Sequence, residues 1–154
     1  MYQINKANKM KTLFFALLMI IAGSTITIAQ ESYKLSVTVS EIQNITGNIL
    51  LMVCNEENFM KGSVKIGMTK VEGEKATIEI DELPAGEYAI MLFQDENGNY
   101  QPDKDERGVP TESFGFSGDV ASLMQAPTFD QCKFTVNGDS SITVKLQRIG
   151  NIAK

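Results

Sequence analysis

The chain has 154 residues, of which 43% are hydrophobic, 14 are basic and 19 are acidic, and it has no histidine. The lack of histidine excludes Ser-His and Cys-His nucleophile pairs and the usual zinc and copper sites. The net charge of −5 disfavours nucleic acid and anionic membranes as partners, because both attract basic surfaces.

Residues 1–29 have the features of a cleavable signal peptide. Three lysines precede an apolar run at 13–22, and small residues lead to Ala29. A basic start, a short apolar core and a small-x-small ending are typical of signal peptidase cleavage. A retained anchor is the alternative, but a membrane span needs about 20 apolar residues. We therefore predict an exported protein: periplasmic, on the cell surface or secreted. Cleavage lowers the charge from −5 to −8, because three lysines and no acid are lost.

Period-2 alternation of apolar and polar residues dominates the remaining chain, residues 30–154. Two segments, 49–54 and 88–93, are apolar on both faces, so we expect them to be central strands. The predicted strands span residues 33–40, 48–54, 63–70, 74–80, 87–94, 131–137 and 141–148. Short strands with frequent turns predict a single all-β domain, an antiparallel sandwich of immunoglobulin-like type, with a small closed barrel as the alternative. The irregular segment 95–130 is much longer than an ordinary loop, which makes it the expected functional region.

An acidic segment, residues 95–106, opens this long loop and has the spacing of a twelve-residue calcium loop. In such a loop, alternate oxygens converge on one hard cation, and a terminal carboxylate closes the shell. The predicted calcium ligands are the side chains of Asp95, Asn97, Asn99, Asp103 and Glu106 and the carbonyl of Gln101.

Two features differ from the usual calcium loop. Tyr100 occupies the position at which the backbone bends sharply and glycine is usual, and Gly98 is the residue that would relocate the bend. A strand precedes the loop instead of a helix, which excludes a paired EF-hand domain. The alternative is a plain turn at Asn97-Gly98 with solvated acidic side chains around it.

Three phenylalanines, Phe114, Phe116 and Phe129, lie in the second half of the long loop. They form either an exposed platform for a sugar or peptide or a lid folded over the end of the sandwich. We favour the lid, because exposed apolar patches are costly without a partner.

The two cysteines, Cys54 and Cys132, are both expected to face inward, and either a disulfide or two buried thiols is compatible with the sequence.

The sequence predicts that the protein is not an enzyme. It has no histidine to act as a general base. Paired carboxylates can hydrolyse glycosidic bonds, but here the acidic residues cluster in one loop. No separate acid lies in an evident apolar pocket that would raise its pKa.

Four spaced motifs resemble those of a family of bacterial exported proteins known as domain of unknown function 2141. The likeness covers about residues 33–148. The motifs are the run from Ile80 to Asn99 (which includes Leu83-Pro84-x-Gly86-x-Tyr88), Gly108-Val109-Pro110, Phe114-Gly115-Phe116-Ser117 and Ala126-Pro127-Thr128-Phe129. The resemblance implies an export signal and a transthyretin-like or immunoglobulin-like sandwich. It implies no reaction, ligand or catalytic residue, and the family usually has glycine at the position of Tyr100.

We therefore expect an exported binding or structural module that is stabilised by calcium at the 95–106 loop. Its partner would be a protein or a glycan, with no nucleic acid and no membrane span after signal cleavage. The alternative is a carrier that holds a small apolar ligand between the sheets of the sandwich.

Overall fold

A computed structural model describes residues 31–118, 120 and 125–149. The predicted signal peptide, residues 1–29, lies outside the described residues. Within them, the chain forms eight strands and one short helix. The elements are β1 (Ser32–Ser40), β2 (Asn48–Cys54), β3 (Lys65–Lys70), β4 (Ala76–Pro84), β5 (Gly86–Asp95), β6 (Phe114–Phe116), α1 (Phe129–Cys132), β7 (Phe134–Val136) and β8 (Ser140–Lys145).

The strands form two sheets. One sheet has three strands in the order β4-β1-β8, and the other has five, in the order β3-β2-β5-β6 with β7 also paired to β5. Neighbouring strands are antiparallel except β1 and β8, which run parallel from Leu35↔Ser140 to Ser40↔Lys145. The all-β sandwich predicted from the alternation is confirmed, and the parallel pair is a difference from a wholly antiparallel arrangement.

The main core fills the space between the two sheets. Alternate residues of β1, β2 and β5 point inward and are almost completely buried, as period-2 alternation requires. These include Leu35, Val37, Val39, Ile49, Leu51, Val53, Ile90 and Leu92. Burial of each such side chain stabilises the fold by about 1.5–3 kcal/mol.

A second apolar cluster covers the outer face of the five-stranded sheet. The register places Leu50 beside Phe93 and Met52 beside Met91, with Phe114 and Phe116 on the next strand. The buried members of the cluster are Cys54, Phe59, Ala89, Val120 and Cys132. Both faces of β2 and β5 are therefore covered, which confirms the prediction that they are central strands.

Segment 95–130 is less irregular than predicted. It contains strand β6, and helix α1 begins at Phe129, so Cys132 ends a helix and is not part of the strand predicted at 131–137. Phe116 and Phe129 pack against the outer face of the sheet and not over the end of the sandwich. The hydroxyl of Ser117 fixes this segment by donating to the Cys132 carbonyl at 2.6 Å and accepting from the Ile90 N–H at 2.8 Å.

None of the helices in the described part of the chain has the length and apolar character needed to cross a membrane.

Candidate metal site

The acidic loop begins at Asp95, the last residue of β5, which is fully buried. The turn before β2 lies directly against it. A Cβ at Gly47, where φ is +70°, would be only 2.0 Å from the Asp95 carbonyl oxygen. Glycine at 47 therefore allows the chain to pass the start of the loop.

The Asp95 carboxylate folds the loop around itself. One oxygen accepts hydrogen bonds from the N–H groups of Gly98 at 2.8 Å and Asn99 at 3.1 Å, and the other accepts from Tyr100 at 3.0 Å. Aspartate commonly binds its following backbone in this way, and bonds to a charged acceptor are strong. Asp95 is thus the organising residue of the loop.

Two residues of the loop have left-handed backbone conformations. Gly98 has φ +77° and Tyr100 has φ +61°. The bend is therefore not transferred from Tyr100 to Gly98, because both positions turn. Tyr100 is 62% exposed, and its conformation costs about 1–2 kcal/mol relative to a right-handed one.

Asn97 and Asn99 converge on Asp103. The side-chain nitrogen of Asn97 lies 2.6 Å from one Asp103 oxygen, and that of Asn99 lies 2.9 Å from the other. The amide oxygens accept from the backbone, Asn97 from the Asn99 N–H at 3.0 Å and Asn99 from the Gln101 N–H at 2.8 Å. Three of the predicted ligands therefore meet at one point.

A further acid, Glu112, closes the base of the loop and was not found from the sequence. It is buried, and its carboxylate accepts from the N–H of Glu96 at 2.9 Å and of Asp103 at 3.2 Å. These two bonds join the beginning of the loop to its end. Glu112 is a single acidic residue before an aromatic strand and belongs to no spaced motif, so the sequence alone could not identify it.

Glu106 is not brought to this point. Residues 103–111 form a small hairpin, with Thr111 N–H bonded to the Asp103 carbonyl at 3.0 Å, and exposed Glu106 lies near its tip. Its neighbour Asp105 caps the turn instead. The Val109 N–H and the Arg107 side chain bond to the Asp105 carboxylate and lower its pKa.

The loop is also anchored to the rest of the sandwich. Glu96 pairs with Arg148 and accepts from the Asn44 side chain. The buried amide nitrogen of Gln94 donates to the carbonyls of Asn44 at 2.7 Å and Thr46 at 2.8 Å. Within the described ranges, no group of three or more acidic or cysteine side chains is placed to hold a metal together. A cation bound at the Asp103 carboxylate would therefore take its other protein ligands from amide and carbonyl oxygens.

An apolar groove of about 500 Å³ lies beside the loop, on the outer face of the five-stranded sheet. Its apolar lining includes Met52, Met91, Phe93, Phe114, Phe116 and Pro127. Asp103, Lys104 and Glu112 lie at its polar side, so the loop and the groove share a boundary.

Both cysteines are buried free thiols in the outer cluster. The Cys54 thiol donates to the Gly62 carbonyl at 3.1 Å. Burial raises the pKa of each thiol to about 11, so both are protonated at neutral pH and are poor nucleophiles.

Comparison with known proteins found no match among curated proteins and none among solved structures. Residues 37–145 match the family described as an uncharacterized protein conserved in bacteria, DUF2141. The match spans most of the sandwich, from β1 into β8, and includes the whole acidic loop. The chain therefore belongs to this bacterial family.

Proposed function

We propose that the protein is an exported, non-catalytic binding or structural module whose 95–106 loop is ordered by calcium. The observation that supports this most is the convergence of Asn97 and Asn99 on the carboxylate of Asp103. These side chains are exposed or half-buried, so a cation has access to them from solvent.

The chemistry of these residues suits a hard cation. Rotation of the two carboxamides by half a turn gives up their bonds from the N–H groups of Asn99 and Gln101, directs their oxygens toward Asp103 and gives oxygen donors from three side chains. The carbonyl of Gln101 is the next donor along the loop, and water would complete the shell. Asp95 has a different role, because it is fully buried and its two oxygens accept three backbone N–H groups, which positions the donors.

A site with one carboxylate and several neutral oxygens has low affinity. Weak extracellular calcium sites have Kd values of about 10⁻⁴–10⁻³ M, which suits a compartment with millimolar calcium. Binding would fix the start of the 103–111 hairpin through Asp103. Since Glu112 also holds Asp103, the effect would extend to β6 and the groove beside it.

The test is calorimetric unfolding of the mature protein during a calcium titration. At ten times Kd, binding stabilises the native state by about 1.4 kcal/mol, which raises Tm by several degrees. Asp103→Asn should abolish this rise, whereas Asp81→Asn, at an exposed site in a surface ion pair, should retain it. An unchanged Tm at several millimolar calcium, or an equal response in Asp103→Asn, would overturn the proposal.

A second candidate function is a carrier of a small apolar ligand, and the groove on the outer face favours it. The space between the sheets is filled by buried side chains, so we place the ligand in this outer groove and not within the sandwich. Native mass spectrometry of the purified protein tests the idea. A bound mass that is lost in Met91→Glu supports it, and the absence of any bound mass after extraction from its native envelope contradicts it.

A further inference from the structure

Strand β3 is an edge strand with an unusual exposure pattern. It pairs with β2 on one side, and no described strand pairs with its other side. Its outward-facing apolar side chains are largely in solvent, with Ile66 70% and Met68 56% exposed. The inward-facing residue between them is Gly67, where a Cβ would lie 2.5 Å from an Ile78 methyl group. Apolar residues thus occupy the solvent face of the strand, the reverse of the usual arrangement.

The free backbone groups belong to the same two residues. Val71 N–H bonds to the Gly47 carbonyl, in register with the β2–β3 ladder. In an antiparallel ladder, N–H and C=O groups of alternate residues point to the same side. Lys65, Gly67 and Thr69 therefore bond to β2, and the N–H and C=O groups of Ile66 and Met68 point to the open edge. Exposed edges with free groups and apolar side chains readily pair with another strand.

We propose that this edge pairs with β3 of a second copy, antiparallel about a twofold axis at Gly67. This register places Ile66 opposite the partner's Met68, with both side chains on the outer face. Each can exchange two backbone hydrogen bonds with the other. Such a symmetric interface uses the same patch on both copies, and directly opposed apolar pairs stabilise it.

The charges are compatible with this register. Lys65 lies opposite the partner's Thr69, and Lys70 lies opposite the partner's Val64, so no lysine faces a lysine. β3 ends at Lys70, and the chain then turns toward β4 in the other sheet, so the paired segment is limited to residues 64–70.

The oligomeric state is tested by sedimentation equilibrium from micromolar to millimolar concentrations. We expect a concentration-dependent dimer in the wild type and a monomer in Met68→Pro. Proline removes an N–H that points to the open edge and no ladder bond, so the fold is retained. Ile66→Lys is a second disrupting variant, and Thr143→Lys, at an exposed position on β8, the edge of the other sheet that is farther from β3, is the matched control that stays dimeric.

The register is tested by charge exchange and cross-linking. Thr69→Lys should weaken association about tenfold, because it places a lysine opposite Lys65 in both halves of the symmetric pair, whereas Thr69→Glu should strengthen it. An equimolar mixture of Ile66→Cys and Met68→Cys should form a disulfide-linked heterodimer in higher yield than either variant alone. A wild type that stays monomeric, or association that Met68→Pro and Ile66→Lys leave unchanged, would overturn the proposal. Calcium independence of the dimer separates this outcome from that of the metal site.

Discussion

The carboxylate of Glu112 accepts the N–H of Glu96 at 2.9 Å, across sixteen residues of sequence, and it holds the Asp103 N–H with its second oxygen. Because Glu112 is buried, Glu112→Gln leaves one of these N–H groups without an acceptor. We expect a loss of about 1–3 kcal/mol in the free energy of unfolding. Urea denaturation measures it, with Glu57→Gln, at an exposed position, as the control that changes stability by less than about 0.5 kcal/mol. Equal losses in the two variants would contradict this role.

Gly47→Ala should be among the most destabilising changes near the loop. The added Cβ would be 2.0 Å from the Asp95 carbonyl oxygen, and φ at this position is +70°. Strain and displacement of β5 together should cost at least about 3 kcal/mol. Gly73→Ala is the matched control, because a Cβ there has nothing within 4 Å and its φ is not left-handed. Thermal unfolding of the two variants gives the comparison, and a cost below 1 kcal/mol for Gly47→Ala would contradict the packing argument.

Tyr100→Gly should stabilise the protein. The tyrosine is exposed and has φ +61°, a conformation that glycine adopts without steric cost. We expect the free energy of unfolding to rise by about 1 kcal/mol, which chemical denaturation measures. Gly98→Ala provides the opposite case. Space is open at Gly98, but φ is +77°, so alanine should lower the free energy of unfolding by about 1–2 kcal/mol. A loss of stability in Tyr100→Gly would show that its side chain makes a contribution larger than the strain.

The buried thiols predict a loss of stability in alkali. In the unfolded chain they lose their protons near pH 9, and in the folded protein near pH 11. The unfolded state therefore binds fewer protons between these values. The thiol contribution is fully present below pH 9 and is lost as pH rises to 11. The double variant Cys54→Ala, Cys132→Ala should show a shallower decline in urea-unfolding free energy over this window. Identical slopes would contradict the raised pKa values, and thiolate absorbance gives an independent titration.

The strands that the sequence predicts best are those with an unbroken pattern. β2 and β5 are apolar on both faces over six or more residues, and both occupy central positions with well-predicted limits. β6 was missed because Phe114-Gly115-Phe116 is too short to show a period. Its glycine is needed because a Cβ there would be 2.6 Å from the Lys145 carbonyl oxygen. The close approach of Gly115 to Lys145 is a tertiary contact, and such a contact leaves no local pattern in the sequence.

The arrangement of the acidic loop was predicted only in part, because tertiary contacts have no local signal here either. The structure brings Asn97, Asn99 and Asp103 together and places Asp95 under the backbone of the same loop. Glu106 lies apart from them, because residues 103–111 form a hairpin of their own that carries this side chain away. Metal binding by the loop stays a prediction.

The parallel pairing of β1 with β8 joins segments that are 105 residues apart, since Leu35 lies opposite Ser140. β1 is the middle strand of its sheet, so one of its two hydrogen-bonding partners is synthesised last. A nascent chain cannot complete this sheet until almost all of the domain has emerged. Contacts between distant segments also slow folding. The three-stranded sheet would therefore be completed only after β8 has been made, late in the folding of the domain.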